Sequence, residues 1–212
     1  MDTASADKAG ETRALDRGVA RRHAFLQAAR QVFLDQGYEA ASVNDIVRLA
    51  GGSLATLYAQ FGNKEGLFLA VTQDQQERFV RAIMPAPVDH LPLAEGLQQI
   101  GEHYTQAILA RENLAFFRVM VGEGRKFPQL LQRYTGQGLE RARESVASYI
   151  RIAAPDAQEP SAMAGYFLEL LRSRHHYHAL ADDSYALTSD EISAHVAQAT
   201  KFFLAAMRGL RD

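Results

Sequence analysis

The chain has 212 residues, 47% of them hydrophobic, and a formal net charge of −2, which is enough for one large domain or two small ones with a full core. It contains no cysteine, which excludes a disulfide framework and thiolate chemistry, and no apolar run approaches the ~18 residues of a membrane helix. The first 80 residues balance nine Lys/Arg against ten Asp/Glu, so bulk charge does not point to nucleic acid; DNA affinity would have to come from local patches such as Arg13, Arg17, Arg21 and Arg22 and from helix N-termini.

Residues 1–18 are polar, small and aperiodic, without the apolar stretch of a secretory signal, and read as a disordered arm. With no signal and no membrane segment, a cytoplasmic protein is expected. Ala24, Phe25, Ala28, Ala29, Val32 and Phe33 keep an i, i+3/i+4 stripe that predicts a helix from about 20 to 36, ended by Gly37. Ser42 starts a second helix as a cap, with Asp45 three residues on. Its buried face is Val43, Ile46, Val47 and Ala50, and Gly51 ends it at a left-handed position. Ser53 caps a third helix beginning at Leu54. Asn63 caps a fourth, whose buried side carries Leu67, Phe68, Val71 and Phe79.

Pro85, Pro87 and Pro92 then interrupt helical order. They set a boundary between a unit over 19–83 and a larger body over 84–212. The body predicts helices near 92–110, 113–124, 128–153, 161–181 and 188–209. No strand pattern and no internal repeat is seen, so the fold class is all-α.

Residues 42–61 make helix, tight turn, helix. In a helix-turn-helix the second helix enters the major groove, and its N-terminal residues face base edges. The first turn of the third helix offers backbone N–H groups and the positive end of a dipole to phosphate. Leu57, Tyr58 and Phe61 hold its far end against the other helices, although Tyr58 in this role is also compatible with plain core. Its entry end is Leu54, Ala55 and Thr56. Threonine can hydrogen-bond a base, and Ala and Leu can touch a thymine methyl. Arg48 lies off the buried face of the second helix, a place for a solvated arginine or a DNA contact alike. Lys64 is a cation in a first helical turn, which costs roughly 0.3–1 kcal/mol against the dipole; a phosphate against that turn would reverse the cost.

The stretch SVNDIVRLAGGSLATLYAQFGNKEGLF resembles the DNA-binding domain of the TetR/AcrR family of bacterial transcriptional repressors. The likeness rests on Gly37–Tyr38, Ser42, Ile46, Ala50–Gly51, Ser53, Thr56–Tyr58, Phe61 and Lys64–Glu65, and covers about residues 20–75. A weaker likeness, in FFRVMVGEGRKFPQLL, is to the ligand-binding half of a subgroup. The resemblance implies an N-terminal three-helix reader and a C-terminal helical bundle for ligand binding and dimerisation. It implies that Ser42 meets phosphate and Asn44 a base or phosphate. Ser53, Leu54, Ala55 and Thr56 form the reading end, and Tyr58, Gln60 and Lys64 hold the DNA backbone. The chain departs from the family at Gly52, usually Val, at Ala55, usually Gly or Pro, and at Gln60, often Tyr or His; Gly52 is expected to loosen the turn.

A reader this small contacts few base pairs. Two copies about 34–36 Å apart give usable specificity, so a homodimer on a double-stranded operator is expected, through the last two helices. Ile192, Val196, Ala199, Phe203 and Ala206 follow a 4-3-4-3 spacing suited to packing along another helix; an internal core helix gives the same pattern. In the middle of the body, Tyr104, Phe116, Phe117, Met120, Tyr134, Tyr166 and Phe167 have the spacing of ordinary core. The resemblance implies that this region encloses a pocket for an unknown small-molecule effector, with Arg118, His103 and Glu123 as polar candidates. His175, His176 and His178 do not share one helix face, so a polar, pH-responsive interface segment is expected there rather than a metal site. No cofactor is expected. No nucleophile–base pair, glycine-rich phosphate loop or metal spacing is found, so an enzyme is not expected. The alternative to a ligand-responsive repressor is a DNA-binding architectural protein with no effector and no cavity.

Overall fold

Helix-forming periodicity runs through nearly the whole chain, and among the described residues of the computed structural model every regular element is a helix. The structure describes residues 3–133 and 139–209. The elements are α1 (Thr3–Ala40), α2 (Val43–Ala50), α3 (Leu54–Phe61), α4 (Lys64–Ile83), α5 (Leu93–Leu109), α6 (Arg111–Gly124), α7 (Pro128–Arg133), α8 (Glu140–Ala153), α9 (Pro160–Ala181) and α10 (Ser189–Gly209). No helix among the described residues is long and apolar enough to cross a membrane. Helix α1 begins at Thr3, within the segment read as an arm, rather than near 20. That segment carries Ala4, Ala6, Ala9 and Ala14, and alanine is the strongest helix former.

The chain divides into two compact units, Met1–Asp74 and Gln75–Asp212. The division falls inside α4, nine residues before the boundary expected near 83. In the first unit, α1 buries Phe25, Ala28, Ala29, Val32 and Phe33. Gly37, at φ 77° and ψ 172°, breaks the helical path where the sequence puts its end. Ile46 from α2, Leu57 and Phe61 from α3, and Leu67, Phe68 and Val71 from α4 complete the core. Phe33 and Tyr38 meet Phe68 edge-on at 4.9 and 4.8 Å. Each fully buried side chain of this size contributes about 2 kcal/mol by removal from water.

In the second unit α5 packs on α8, α9 and α10. The core is Leu97, Ile100 and Tyr104 with Val146, Ile150, Phe167, Leu171, Val196 and Phe203. Tyr149 ties the proline-rich segment down by donating its hydroxyl to the carbonyls of Leu91 (3.2 Å) and Pro92 (3.0 Å). Of the span expected as one helix over 128–153, α7 to Arg133 and α8 from Glu140 are helical, and residues 134–138 lie outside the described residues. One expectation is corrected here. Helix α9 is broken at Ser173, whose φ is 39° and ψ −149°.

Candidate functional site

The helix-turn-helix is built from two eight-residue helices and a three-residue link. Gly51 closes α2 in the left-handed region (φ 68°, ψ 36°), its N–H bonded to the Val47 carbonyl. Gly52 donates to the same carbonyl at 3.2 Å. A Cβ at residue 52 would lie 2.4 Å from Phe25 Cζ, so the buried Phe25 ring occupies the room a side chain there would need. Gly52 therefore lets the link close onto α1 rather than loosening it. Arg21 donates to the carbonyls of Ala50 (3.3 Å) and Gly51 (2.8 Å), capping the C-terminal end of α2. Arg22 lies 4.7 Å over the Phe61 ring. Two members of the N-terminal arginine cluster thus have structural work beyond any DNA contact.

Ser53 caps α3 as expected, accepting the Thr56 amide at 3.1 Å, and its hydroxyl is 2.9 Å from that of Thr56. Ser42 differs. Its backbone is extended, as an N-cap requires, but its hydroxyl makes no cap bond. The hydroxyl is therefore not committed to the helix.

Leu54, Ala55 and Thr56 are exposed at the entry end of α3, while Leu57 one step on is fully buried. Tyr58 is 45% exposed, so it is not core. Asn44 and Arg48 are exposed on α2, with Arg48 paired to Asp45 at 2.9 Å. The half-buried Gln60 leaves its Oε1 buried without a hydrogen-bond donor among the described residues. Lys64 donates to the Glu39 carbonyl at 2.9 Å and sits 5.1 Å over the Tyr38 ring. Its place in the first turn of α4 is thus compensated inside the fold, by a bond to a carbonyl and a cation–π contact, and does not require a phosphate. Asn63 caps that helix by accepting the Gly66 amide at 2.8 Å.

In the second unit a cavity of about 50 Å³ is walled by Phe79, Ile108, Phe116, Phe117 and Leu139. Its polar lining is Gln75, Gln76, Asn113, Arg172 and His176. Of the residues expected in a pocket, Phe116 and Phe117 line it. Tyr104 is buried just behind, its ring 5.9 Å from Phe79 and its hydroxyl accepting from Arg172 Nη2 at 3.4 Å. Met120 and Phe167 are buried elsewhere, Phe167 against Phe203 at 5.1 Å. Arg118 does not line the cavity. It donates to the carbonyls of Ala179 and Leu180 at 3.0 Å and to Asp183 at 2.8 Å, closing the end of α9. Tyr166 is 66% exposed on another face, and Tyr134 lies outside the described residues. The polar lining was missed in the sequence because Gln75, Gln76, Asn113 and Arg172 look like solvated helix positions; only the packing around them makes them interior.

Burial, with a smaller contribution from the Arg172 charge, lowers the His176 pKa to about 4, so this imidazole is neutral at pH 7. Its ring meets Phe117 edge-on at 5.0 Å. His175 is also held below its ordinary value, first by burial and then by His195, Arg174 and His178, with Glu191 opposing. Its Nδ1 is 2.5 Å from the Tyr185 hydroxyl, and its ring is 4.5 Å from that of His195.

A second concavity runs along α9 and α10, lined by Met163, Tyr166, Leu170, Phe202, Phe203 and Ala206. Phe202 is 64% exposed. Phe203 and Ala206, the last two residues of the 4-3-4-3 stripe, reach this groove. Ile192, Val196 and Ala199, together with Phe203, belong to the unit's own core, the internal reading of that pattern, and Phe202, outside the stripe, is the large side chain exposed there.

A small exposed reading helix on a glycine turn, together with a helical bundle holding a polar-lined cavity, defines the class of helix-turn-helix DNA-binding regulators. Residues 25–71 match the family described as bacterial regulatory proteins, tetR family, and residues 95–208 match the AefR-like transcriptional repressor C-terminal domain. The chain belongs to the tetR family. It is 48% identical over 58 residues to the HTH-type transcriptional repressor ComR of Escherichia coli K12, covering 27% of this chain and 28% of ComR. It is 41% identical over 66 residues to the HTH-type transcriptional activator FasR of Mycolicibacterium smegmatis, covering 31% and 30%. The matched segment thus spans under a third of each of these relatives. The solved structure of the flavonoid-responsive regulator FrrA superposes with a TM-score of 0.76 at 29% identity, over 88% of this chain and 96% of that one.

Proposed function

We propose that the protein is a ligand-responsive transcriptional repressor that binds a palindromic operator as a homodimer. The observation that carries this is the entry end of α3, where Leu54, Ala55 and Thr56 are exposed on a helix anchored by buried Leu57 and Phe61. Thr56 and the Leu54 and Ala55 side chains read base edges. Ser42, Asn44, Arg48, Tyr58, Gln60 and Lys64 meet the DNA backbone on either side. Ser42 suits this because its hydroxyl is not spent on capping, whereas Lys64 contributes while held by Glu39 and Tyr38. Repression is favoured over activation by the description of the C-terminal domain and by ComR, against FasR.

The dimer forms through the outward faces of α9 and α10, where Tyr166 and Phe202 stand exposed beside an apolar groove. An effector enters the cavity of the second unit. Helix α4 supplies Gln75, Gln76 and Phe79 to that cavity and Leu67, Phe68 and Val71 to the core of the reader. A shift of this one helix changes the placement of α3. Only a difference in effector affinity between the two states drives the shift, typically by ~1–3 kcal/mol. FrrA, a flavonoid-responsive regulator, supports the ligand-responsive part. The presence of a cavity favours this reading over an architectural protein. The protein acts on chromosomal DNA in the cytoplasm.

Selection of bound fragments from random double-stranded DNA tests the reading. A palindrome with half-sites about one helical turn apart is expected; an asymmetric site, or no preference at low salt, contradicts it.

A further inference from the structure

The polar side of the cavity carries an acceptor that the chain does not satisfy. Its orientation is set from the backbone outward. The Ala107 carbonyl can only accept, and Asn113 Nδ2 donates to it at 2.7 Å. This turns Asn113 Oδ1 toward Gln75, whose Nε2 donates to it at 2.6 Å. The Gln75 amide is thereby fixed with its Oε1 as the remaining end. Gln75 is 6% exposed and lines the cavity, and its Oε1 is buried with no hydrogen-bond donor among the described residues. An acceptor left this way is costly, so an occupant that donates a hydrogen bond there is favoured over one that does not.

The second polar feature is a permanent cation. Arg172 is 18% exposed at its side chain, donates to the Tyr104 hydroxyl, and reaches the exposed Glu169 at 3.5 Å. His176 beside it is neutral at pH 7 and adds no charge. A positively charged occupant is repelled by Arg172, and an anionic one can form charge-assisted hydrogen bonds with it. The walls are the rings of Phe79, Phe116 and Phe117, which favour an aromatic body packed edge-to-face. At about 50 Å³ the cavity is far below the several hundred Å³ of sites for drug-sized ligands. It limits the occupant to a single ring, and the lining has to yield to admit even that.

We propose that the cavity takes a single-ring aromatic acid bearing a hydroxyl. The hydroxyl donates to Gln75 Oε1, the carboxylate meets Arg172, and the ring lies among Phe79, Phe116 and Phe117. This rests on the effector reading above and specifies its ligand class.

Calorimetric titration of the full-length protein at pH 7 with 4-hydroxybenzoate, benzoate, phenol and toluene tests it. 4-Hydroxybenzoate is expected to bind tightest, with benzoate and phenol each weaker by roughly tenfold and toluene weakest. Gln75→Leu should erase the advantage of 4-hydroxybenzoate over benzoate. Arg172→Met should erase its advantage over phenol. Circular dichroism checks that both variants fold; should either fail, the four-ligand ranking on the parent protein stands as the test. Toluene binding as tightly as 4-hydroxybenzoate, no binding of any of the four, or an unchanged ranking in both folded variants overturns the proposal. Operator binding is measured on the same preparations. Sequence-specific DNA binding without the ligand ranking sinks the ligand class and leaves the regulator reading intact. The ranking without sequence-specific DNA binding sinks the regulator reading and leaves the cavity assignment standing.

Discussion

A methyl group added at residue 52 would point into the ring of Phe25, which is fully buried and in edge contact with Phe61 at 6.3 Å. Gly52→Ala is therefore expected to lower stability by roughly 1–3 kcal/mol in chemical denaturation, the scale of an overpacked core. Combination with Phe25→Leu should recover part of the loss; an unchanged midpoint for Gly52→Ala alone would show that the link does not press on α1. His176 makes a pH prediction whose sign follows from its depressed value. Its folded pKa is about 4 against an ordinary 6.5, so the unfolded chain binds the extra proton between these values. The contribution is present above pH 6.5 and is lost as the pH falls toward 4. It amounts to roughly 2 kcal/mol after allowance for solvent screening. His176→Phe should flatten the slope of stability over that window, read from denaturation midpoints at several pH values.

Among the described residues two outside glycine have a left-handed φ, both in α9: Glu159 at its N-cap (φ 48°) and Ser173 in its interior (φ 39°). A serine there costs on the order of 1 kcal/mol or more, and glycine carries no such penalty. Ser173→Gly should raise the thermal midpoint. In an unbroken helix the same change would cost roughly 0.5–1 kcal/mol, so a lowered midpoint is the result that would contradict the break at Ser173. Neither glycine nor proline marks the position, and this is why periodicity alone predicts one continuous helix. By contrast α2 and α3 were legible almost to the residue. Gly51, Ser53 and the stripe of Ile46, Leu57 and Phe61 are local signals with local causes. The cavity was legible only through Phe116 and Phe117. Gln75, Asn113 and Arg172 acquire their role from helices distant in sequence, and no spacing along the chain announces that. Ser42 shows the opposite limit: its residue type predicted a cap bond that the side chain does not make.

At the scale of the whole molecule, Tyr166 and Phe202 are large hydrophobic side chains left exposed beside the groove of α9 and α10, and a patch of this kind marks an interaction surface. Tyr166→Glu combined with Phe202→Glu should shift the protein from dimer to monomer in sedimentation. Operator affinity should fall by roughly 100-fold or more, since the two half-sites are no longer held together. A double variant that stays dimeric would place the interface elsewhere. We propose that the first turn of α3 reads bases in the major groove. It is tested most directly by measuring Thr56→Ala against a set of single-base variants of the selected operator. Loss of about 1–3 kcal/mol of discrimination at one position in each half-site, with the other positions unchanged, is the predicted result. Equal weakening on every sequence, or discrimination identical to the parent at all positions, would contradict it.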